Sequence, residues 1–308
     1  MLRIEGVVKG YRDGPVLRGV DLTVGPGEIV GMVGANGAGK TTLIGIAAGL
    51  RRADSGSVCI AGIDVAAHRR RAARHVGLAP QELGIYPTLT VAQNLECFAR
   101  LAGLRSAQVR RRVAEVAEQL GLSDRLASRA GELSGGQKRR LHTGTAVLHR
   151  PDLVFLDEPT VGADVVSRRE ILDLVRRMAA EGTAVLYTTH HLTELEQLDA
   201  TIAVLHSGRI VHTGPVADVI SRWATTAVTL RFAHAAPALP GWRQEGKTLV
   251  PRAPVGEPGA AVGRALAVLG ARCAELTGVE ISRPGLETAY LAITGHTLTE
   301  GDDSAHAA

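Results

Sequence analysis

Aromatic side chains are scarce in this chain of 308 residues, at 3% of the total. A surface that binds single-stranded nucleic acid by base stacking needs several of them, so that class of protein is disfavoured. Lysine is also rare, with four residues against 31 arginines, and the formal net charge of +4 is too small to identify a polyanionic partner. The 45% of apolar residues can form a hydrophobic core, which excludes a disordered or fibrous chain.

Cysteine is nearly absent as well. The three thiols, Cys59, Cys97 and Cys273, lie far apart in the sequence and form no C-x-x-C pair. This spacing excludes a disulfide framework and argues against a structural zinc site.

Long hydrophobic runs are missing. The longest apolar stretch, from Ile29 to Leu50, is interrupted by Asn36 and Lys40. Because a membrane-spanning helix needs about 20 apolar residues, we expect none in this chain. The N-terminal segment MLRIEGVVKGYRDG carries charges every few residues and has no apolar centre, so we also expect no signal peptide.

Strand and helix patterns alternate through most of the first 220 residues. Short apolar runs predict buried strands, and apolar residues three or four positions apart predict helices. Such alternation with short connections is typical of a parallel α/β sheet. The predicted elements are a strand at Glu28–Val33, a helix at Lys40–Leu50, a basic helix at Ala66–His75, strands at His75–Ala79 and Leu153–Leu156, a helix at Ser167–Glu181 and a strand at Thr183–Thr188.

Three other segments have a different character. Residues 1–24 predict short strands around a turn at Asp13-Gly14-Pro15, and residues 82–150 predict a helical region. Beyond Ser221 the chain is richer in Ala, Pro and Gly, with a linker-like stretch PRAPVGEPGAAVG and a helix from Leu286 to Ile293. We therefore divide the chain into a first domain at 1–221, a small α+β domain at 222–296 and a disordered tail at 297–308.

One glycine-rich segment fits the phosphate-binding pattern GxxxxGK[ST] and lies between a predicted strand and a predicted helix. Glycines allow backbone N–H groups to face phosphate oxygens, and the helix N-terminus adds its positive dipole end. We expect Lys40 to reach the β- and γ-phosphates and the Thr41 hydroxyl to hold Mg²⁺. The predicted phosphate-binding residues are Gly34, Asn36, Gly37, Gly39, Lys40, Thr41 and Thr42.

Phosphoryl transfer also needs an acidic residue for the metal and a group that positions the attacking water. Asp157 and Glu158 follow the apolar run Leu153–Leu156, and we expect Asp157 to bind Mg²⁺ through water and Glu158 to polarise the hydrolytic water. A later strand leads to two histidines. We prefer His190 to His191 as the residue that reaches the γ-phosphate, because it terminates that strand directly.

The segment Leu133-Ser134-Gly135-Gly136-Gln137 completes a set that resembles the ATP-binding cassette (ABC) ATPases over about residues 2–220. The resemblance implies a P-loop NTPase core, with a mostly parallel sheet, N-terminal antiparallel strands and a helical signature subdomain. In this family the signature holds the γ-phosphate of ATP that is bound to a second subunit. The implied ligands are Ser134, Gly135, Gly136 and Gln137.

Three further positions match the family one by one. Tyr11 resembles the aromatic residue that stacks on adenine, although an ordinary strand tyrosine is the alternative. Gln81 resembles the glutamine that contacts Mg²⁺, takes part in catalysis and couples to the transmembrane partner. Asp164 resembles an aspartate at the dimer interface. The usual Leu-Asp-Pro is here Ala163-Asp164-Val165, which predicts a less rigid loop, and the signature helix contains the unusual run Thr143-Gly144-Thr145.

The resemblance also implies partners and a location. One phosphate loop and one signature make half of each of two sites, so a second copy would complete both across a two-fold axis. The segment RPGLETAYLAITG is similar to the drug- and antibiotic-export branch, which implies a separately encoded integral-membrane permease. The chain itself would be cytoplasmic and peripheral on the inner face of the cell membrane, where the permease holds it. We expect the permease to dock on Leu83–Thr90, although Tyr86 and Pro87 could instead only brace the local loop.

Clusters of arginine leave a rival class open. Arg69–Arg71, Arg110–Arg112 and Lys138–Arg140 could contact nucleic acid or ribosomes, but solvated helix faces explain them more simply. Only 117 residues separate Lys40 from Asp157, without the heptad pattern of DNA-working relatives. A non-enzymatic module would not need Glu158, and no NKxD element indicates a GTPase. The sequence therefore favours an ATPase that powers transport.

Overall fold

The computed structural model describes residues 1–12, 14–224, 227–253, 255–282 and 285–295. The described chain forms two compact units, an N-terminal unit of residues 1–216 and a C-terminal unit of residues 217–295. This division lies five residues before the boundary that the sequence predicts. The predicted tail at 297–308 and Asp13 of the predicted turn lie outside the described residues.

The N-terminal unit contains two sheets and the helices that cover them. Its strands are β1 Leu2–Tyr11, β2 Gly14–Val24, β3 Ile29–Val33, β4 Ser55–Ile60, β5 Ile63–Asp64, β6 Val76–Ala79, β7 Leu153–Asp157, β8 Ala184–Thr188, β9 Thr201–His206 and β10 Arg209–Pro215. Its helices are α1 Lys40–Ala47, α2 Arg69–Ala72, α3 Val91–Leu101, α4 Ser106–Gln119, α5 Gly135–Val147, α6 Val165–Ala180 and α7 Leu192–Gln197, and α8 Val216–Trp223 crosses the unit boundary.

The larger sheet has the strand order β10-β9-β3-β8-β7-β6, and all of its strands except β10 are parallel. The predicted parallel α/β sheet is therefore confirmed. Strands β7 and β8 are buried along their whole length, which explains their continuous apolar sequences. Asp157 pairs in register with Thr188, so the carboxyl ends of the two strands meet at one edge of the sheet.

The smaller sheet is antiparallel, with the order β2-β1-β4-β5. The prediction of short strands in residues 1–24 is wrong, because β1 has 10 residues and β2 has 11. Register shifts interrupt the β1–β2 pairing at three places, and these irregularities blur the alternation of buried and exposed residues that marks a long strand. This sheet places Tyr11, the last residue of β1, beside the phosphate loop.

The helical region is confirmed and contains α3, α4 and α5. Gly144, which the sequence marks as unfavourable inside a helix, lies where α5 passes closest to α4. A Cβ atom there would come within 2.7 Å of a Leu120 methyl carbon and 3.0 Å of a Val116 methyl carbon. The predicted basic helix Ala66–His75 is mostly wrong, since only α2 and one 3₁₀ turn form there.

The C-terminal unit is an antiparallel sheet with helices, as predicted. Helix α9 begins at Pro258 inside the predicted linker, because proline fits the first turn of a helix. Leu230, Phe232, Leu249 and Leu269 belong to its core. None of the helices in the described part of the chain has the length and apolar character needed to cross a bilayer. The strand order is β12-β13-β11-β14, with β11 Ala227–Phe232, β12 Trp242–Glu245, β13 Thr248–Pro251, β14 Leu276–Ser282, α9 Pro258–Leu269 and α10 Leu286–Thr294.

Candidate functional site

The glycine-rich loop connects β3 to α1, which is the position that the sequence predicts. Gly39 caps α1 with a φ angle of 108°, a left-handed conformation that favours glycine. A Cβ atom at Gly39 would also lie 2.7 Å from a Leu17 methyl carbon. The loop therefore needs glycine here both for its backbone turn and for its close approach to β2.

The Lys40 side chain is folded into this loop. Its Nζ atom donates hydrogen bonds to the carbonyl oxygens of Gly34, at 2.7 Å, and Ala35, at 3.2 Å. Burial lowers the pKa of Lys40 from its ordinary value, while the negative charges of Glu158 and Asp157 act in the opposite direction. The lysine is thus a nearly buried cation at the helix N-terminus, where it can approach an anionic phosphate.

Two threonines fix the carboxylate of Asp157. The Thr41 hydroxyl donates to its Oδ2 atom at 3.0 Å, and the Thr188 hydroxyl donates to its Oδ1 atom at 2.6 Å. Asp157 is almost fully buried at the end of β7. The predicted magnesium ligands Thr41 and Asp157 are therefore adjacent, although 116 positions separate them in the sequence.

Glu158 occupies a turn with a φ angle of 49°, which is uncommon for a residue other than glycine. Its backbone N–H donates to Thr188 at both the carbonyl and the hydroxyl oxygen. The Nδ1 atom of His190 lies 3.5 Å from the Glu158 Oε2 atom. The reason given for preferring His190 is wrong, however, because β8 ends at Thr188, two residues earlier.

A cavity of about 850 Å³ opens over the loop and these strand ends. His191 also lines it, and its ring centroid lies 4.1 Å from that of His190, so the structure brings both histidines to the same place. The predicted residues that line the cavity are Tyr11, Asn36, Gly37, Gly39, Lys40, Thr41, Thr42, Gln81, Glu158 and His190.

Tyr11 is presented to this cavity with its ring partly exposed. Arg51 donates a hydrogen bond to its hydroxyl oxygen at 2.8 Å. The ammonium group of Lys9 lies 5.4 Å from the ring centroid, and Asp54 holds that ammonium at 2.7 Å. These contacts fix the plane of the ring, as a surface for stacking requires.

Gln81 is held through its backbone by the signature helix. The Arg139 guanidinium donates a hydrogen bond to the Gln81 carbonyl oxygen. Burial lowers the pKa of Arg139, and the charge of Glu158 counteracts this effect. Sequence reasoning missed Arg139 as part of this site, because nothing in a run of basic residues reveals which member faces the protein.

The signature segment forms the start of α5. The Ser134 oxygen accepts from the Gln137 N–H at 3.2 Å, and the Gln137 side chain accepts from the Ser134 N–H at 3.0 Å. The Ser134 hydroxyl oxygen is therefore engaged in helix capping, although its O–H proton can still be donated. The first N–H groups of α5 add the positive end of the helix dipole.

Gly136 and Asp164 are in contact within one chain. Asp164 caps α6 by accepting from the Ser167 N–H at 2.8 Å and from its hydroxyl at 3.1 Å. The N–H hydrogen bond contributes most to lowering the pKa of Asp164. A Cβ atom at Gly136 would lie 2.4 Å from the Asp164 carboxylate, so only glycine fits between the two motifs.

The predicted residues thus form two groups. Among the described residues that line the cavity, none belongs to the signature segment or is Asp164. Gly34 and Asp157 support the cavity through Lys40 and Thr41. Ser134, Gly135, Gly136, Gln137 and Asp164 form the second group at the starts of α5 and α6.

Three arginines of the basic clusters are buried, which neither sequence interpretation predicts. Arg112, Arg139 and Arg140 are all less than 10% exposed. Arg112 donates to the carbonyls of Leu148 and Val147, and Arg140 donates to that of Leu120. These three are structural donors rather than a nucleic-acid surface, whereas Arg69–Arg71, Arg110 and Arg111 are exposed.

Comparison with known proteins now decides the family. The family model described as "ABC transporter" matches residues 17–161. The daunorubicin resistance ATP-binding protein DrrA2 of Streptomyces coeruleorubidus is 34% identical over 323 aligned positions, which cover 100% of this chain and 98% of the relative. This chain belongs to the ABC transporter family.

Other relatives agree with this assignment. The linearmycin resistance ATP-binding protein LnrL of Bacillus subtilis is 37% identical over 222 residues, or 72% of this chain and 71% of the relative. A solved structure described as the ATP binding subunit of an ABC transporter has a TM-score of 0.67 and 30% identity, and the match covers 72% of this chain and 92% of that one. The dimeric ADP- and Pi-bound cassette MJ0796 has a TM-score of 0.64 and 25% identity, over 70% of this chain and 98% of that one.

The membership confirms the predicted activity. The chain is an ATP-binding ABC subunit that hydrolyses ATP to power transport. DrrA2 and LnrL are resistance proteins, which supports the transporter interpretation and not the ribosome or nucleic-acid alternative.

Proposed function

We propose that this ABC ATPase drives export of an antibiotic or drug-like molecule through a separate permease, by closing head to tail with a second copy around ATP. The observation that carries the proposal is the separation of the two residue groups. The cavity contains Lys40, Glu158 and His190, whereas the signature serine lies outside it. The daunorubicin resistance relatives match this chain along almost its whole length, and we extend their role to it.

Within the cavity the side chains divide the chemistry of hydrolysis. Lys40 and the N–H groups of the loop would bind the phosphates of ATP, because they present a cation and a helix N-terminus. Glu158 would accept a hydrogen bond from the attacking water and orient it. His190 would contact the γ-phosphate beside it, and the ring of Tyr11 would stack on adenine.

Mg²⁺ fits the residues that meet at the end of β7. A threonine hydroxyl and a carboxylate are oxygen ligands of the kind that Mg²⁺ prefers. The hydrogen bond between these two groups is 3.0 Å long, so both oxygens are close enough to contact the same ion or one of its waters. We assign the ion to the Thr41 hydroxyl and, through water, to Asp157, and we expect Gln81 to be a further ligand. The ion would supply positive charge to the phosphates during transfer.

The dimer interface is expected at the starts of α5 and α6. Ser134, Gly135, Gly136 and Gln137 would reach the ATP of the partner subunit from there. Val165 and Val166 follow Asp164 directly and are 81% and 64% exposed. Two adjacent exposed valines beside a helix N-terminus are suited to a surface that is covered on dimer closure.

The permease would dock on Leu83–Thr90. Asn94 holds this segment by accepting from the Tyr86 N–H at 2.8 Å and donating to its carbonyl at 3.0 Å. The side chains of Leu83 and Tyr86 nevertheless remain 40% and 48% exposed. A braced loop that presents apolar side chains can transmit motion to a partner, so both interpretations of this segment are compatible.

The deciding experiment is a tagged pull-down from detergent-solubilised membranes and from the soluble fraction, with Glu158→Gln protein and ATP. The variant should bind ATP but lose turnover, and it should recover a polytopic membrane protein. The Lys40→Ala protein is the control, since it should bind no ATP and show no ATP-dependent enrichment. Recovery of ribosomes or DNA without a membrane partner would contradict the proposal.

A further inference from the structure

A buried carboxylate outside the cavity connects the segments that bear Glu158 and His190. Glu194, in α7, is 1% exposed. Its Oε1 atom accepts from the Thr160 hydroxyl at 2.7 Å. Its Oε2 atom accepts from the Tyr187 and Thr189 hydroxyls, each at 2.9 Å.

Two of these donors, Tyr187 of β8 and Thr189 just beyond its end, lie on the opposite side of this strand from Asp157. Side chains alternate along a strand, so Tyr187 and Thr189 face Glu194 while Thr188 faces Asp157. One end of one strand therefore contacts the hydrolytic residues on one face and Glu194 on the other.

Two of the donors to Glu194 lie close in the sequence to Glu158 and His190. Thr160 is two residues after Glu158, whose carbonyl accepts from the Val161 N–H. Thr189 immediately precedes His190, and its hydroxyl oxygen also accepts from the His191 N–H at 2.9 Å. Glu194 thus contacts both the segment that follows Glu158 and the segment that precedes His190.

The same carboxylate reaches α6, whose first turn packs against the signature segment. The Nε atom of Arg168, in the first turn of α6, lies 3.3 Å from the Glu194 Oε1 atom. Asp164, against which Gly136 packs, caps this turn. A path of direct contacts thus leads from the signature segment through α6 to the His190 segment of the same subunit.

Burying a carboxylate is unfavourable, and packing alone would be satisfied by an apolar residue of similar size. We propose that Glu194 is a positioning residue for ATP hydrolysis, because it holds the segment that follows Glu158 and the segment that contains His190 in one fixed geometry. The inference rests on the proposed roles of these two catalytic residues.

The test compares two hydrogen bonds of equal length to the same oxygen. Thr189→Val removes the bond beside His190, and Tyr187→Phe removes the bond from a residue of β8 two positions earlier. We expect Thr189→Val and Glu194→Gln to lower kcat for ATP by about 10- to 100-fold, since small displacements of catalytic groups have effects of this size. The KM for ATP should change by less than about twofold, because Lys40 and the N–H groups of the phosphate loop, which would supply most of the phosphate binding, keep their positions.

Tyr187→Phe is the matched control, with kcat expected within about threefold of the unmodified protein and a similar change in thermal midpoint to Thr189→Val. Equal kcat losses in the two variants, or full kcat in Thr189→Val, would overturn the inference. If Glu194→Gln fails to fold, the Thr189 and Tyr187 pair still decides. Retained turnover in Glu158→Gln would instead contradict the proposed catalytic role, which separates the two failures.

Discussion

The two units of the chain fill their interiors with different kinds of side chain. Among the described residues, 16 of 17 buried polar or charged side chains lie between Lys40 and Glu194, and only Thr294 belongs to the C-terminal unit. Buried polar groups are unfavourable unless they are hydrogen-bonded, so the N-terminal unit depends on specific hydrogen bonds both at the candidate site and in the packing around it. The C-terminal unit has an almost entirely apolar core.

The largest contrast is expected from removing one lysine in each unit. Lys40→Ala should abolish measurable ATP binding, with an affinity loss above about 1,000-fold, because the phosphate loop loses its only buried cation. Lys247→Ala, at an exposed position of the C-terminal unit, should leave ATP affinity unchanged. Equilibrium titration with a fluorescent ATP analogue measures both. Equal affinities in the two variants would contradict the assignment of the site to one unit.

Core truncation should separate the stabilities of the units. Leu230→Ala removes a fully buried side chain and should destabilise the C-terminal unit by about 2–5 kcal/mol. ATP binding should persist, since the cavity residues all precede position 217. Limited proteolysis should then cut residues 217–295 selectively. Loss of ATP binding together with the C-terminal unit would show that the site depends on it.

A buried histidine should give the N-terminal unit an acid-sensitive stability. Burial, followed by the nearby charge of Arg139, lowers the pKa of His142 from 6.5 to about 4. The unfolded chain binds the proton more tightly, so this contribution is fully present above pH 6.5 and is lost as the pH falls towards 4, by at most about 3 kcal/mol.

Denaturant unfolding at pH 7 and pH 4.5 tests this expectation. His142→Leu should reduce the loss of stability on acidification. His234→Gln changes an exposed histidine of the C-terminal unit and should leave that loss as it is. The same pH dependence in the His142 variant and the unmodified protein would exclude this histidine as its cause.

Two glycine-to-alanine changes provide the smallest contrast. Gly136→Ala should destabilise the N-terminal unit by about 1–3 kcal/mol, because its Cβ atom would meet Ser167 and Asp164 at 2.3 and 2.4 Å. Gly263→Ala in α9 meets nothing within 4 Å and should stabilise its helix by up to about 1 kcal/mol. Thermal unfolding compares them, and stabilisation by both changes would show that the signature glycine is not confined by its neighbours.

The parts of the site that the sequence could predict are those formed by residues close together in the chain. The phosphate loop and the Asp157–Glu158 pair are local patterns, in which residue type and spacing determine the chemistry. The hydrogen bonds of Arg139 and Glu194 join residues that are distant in the sequence. Arg139 bonds to Gln81, 58 positions away, and Glu194 bonds to Thr160, 34 positions away. No short motif records such pairings, because tertiary packing selects which polar residue of a run turns inward.

The weaker secondary-structure predictions failed for related reasons. The basic segment at 66–75 has the composition of a helix, yet only four residues form α2 between two strands. In the C-terminal unit, proline and glycine near position 258 predict a linker, but proline is favourable at the first turn of α9. In both segments the composition indicates only a local structural preference, whereas the position of the neighbouring elements decides which secondary structure forms.

One chain, in our proposal, provides two separated halves of the ATP site. The most direct measurement is the molar mass of Glu158→Gln protein in solution, by light scattering with ATP and then with ADP. We predict twice the chain mass of 32.3 kDa with ATP and a single chain with ADP. A single chain under both conditions, with ATP bound, would contradict the account.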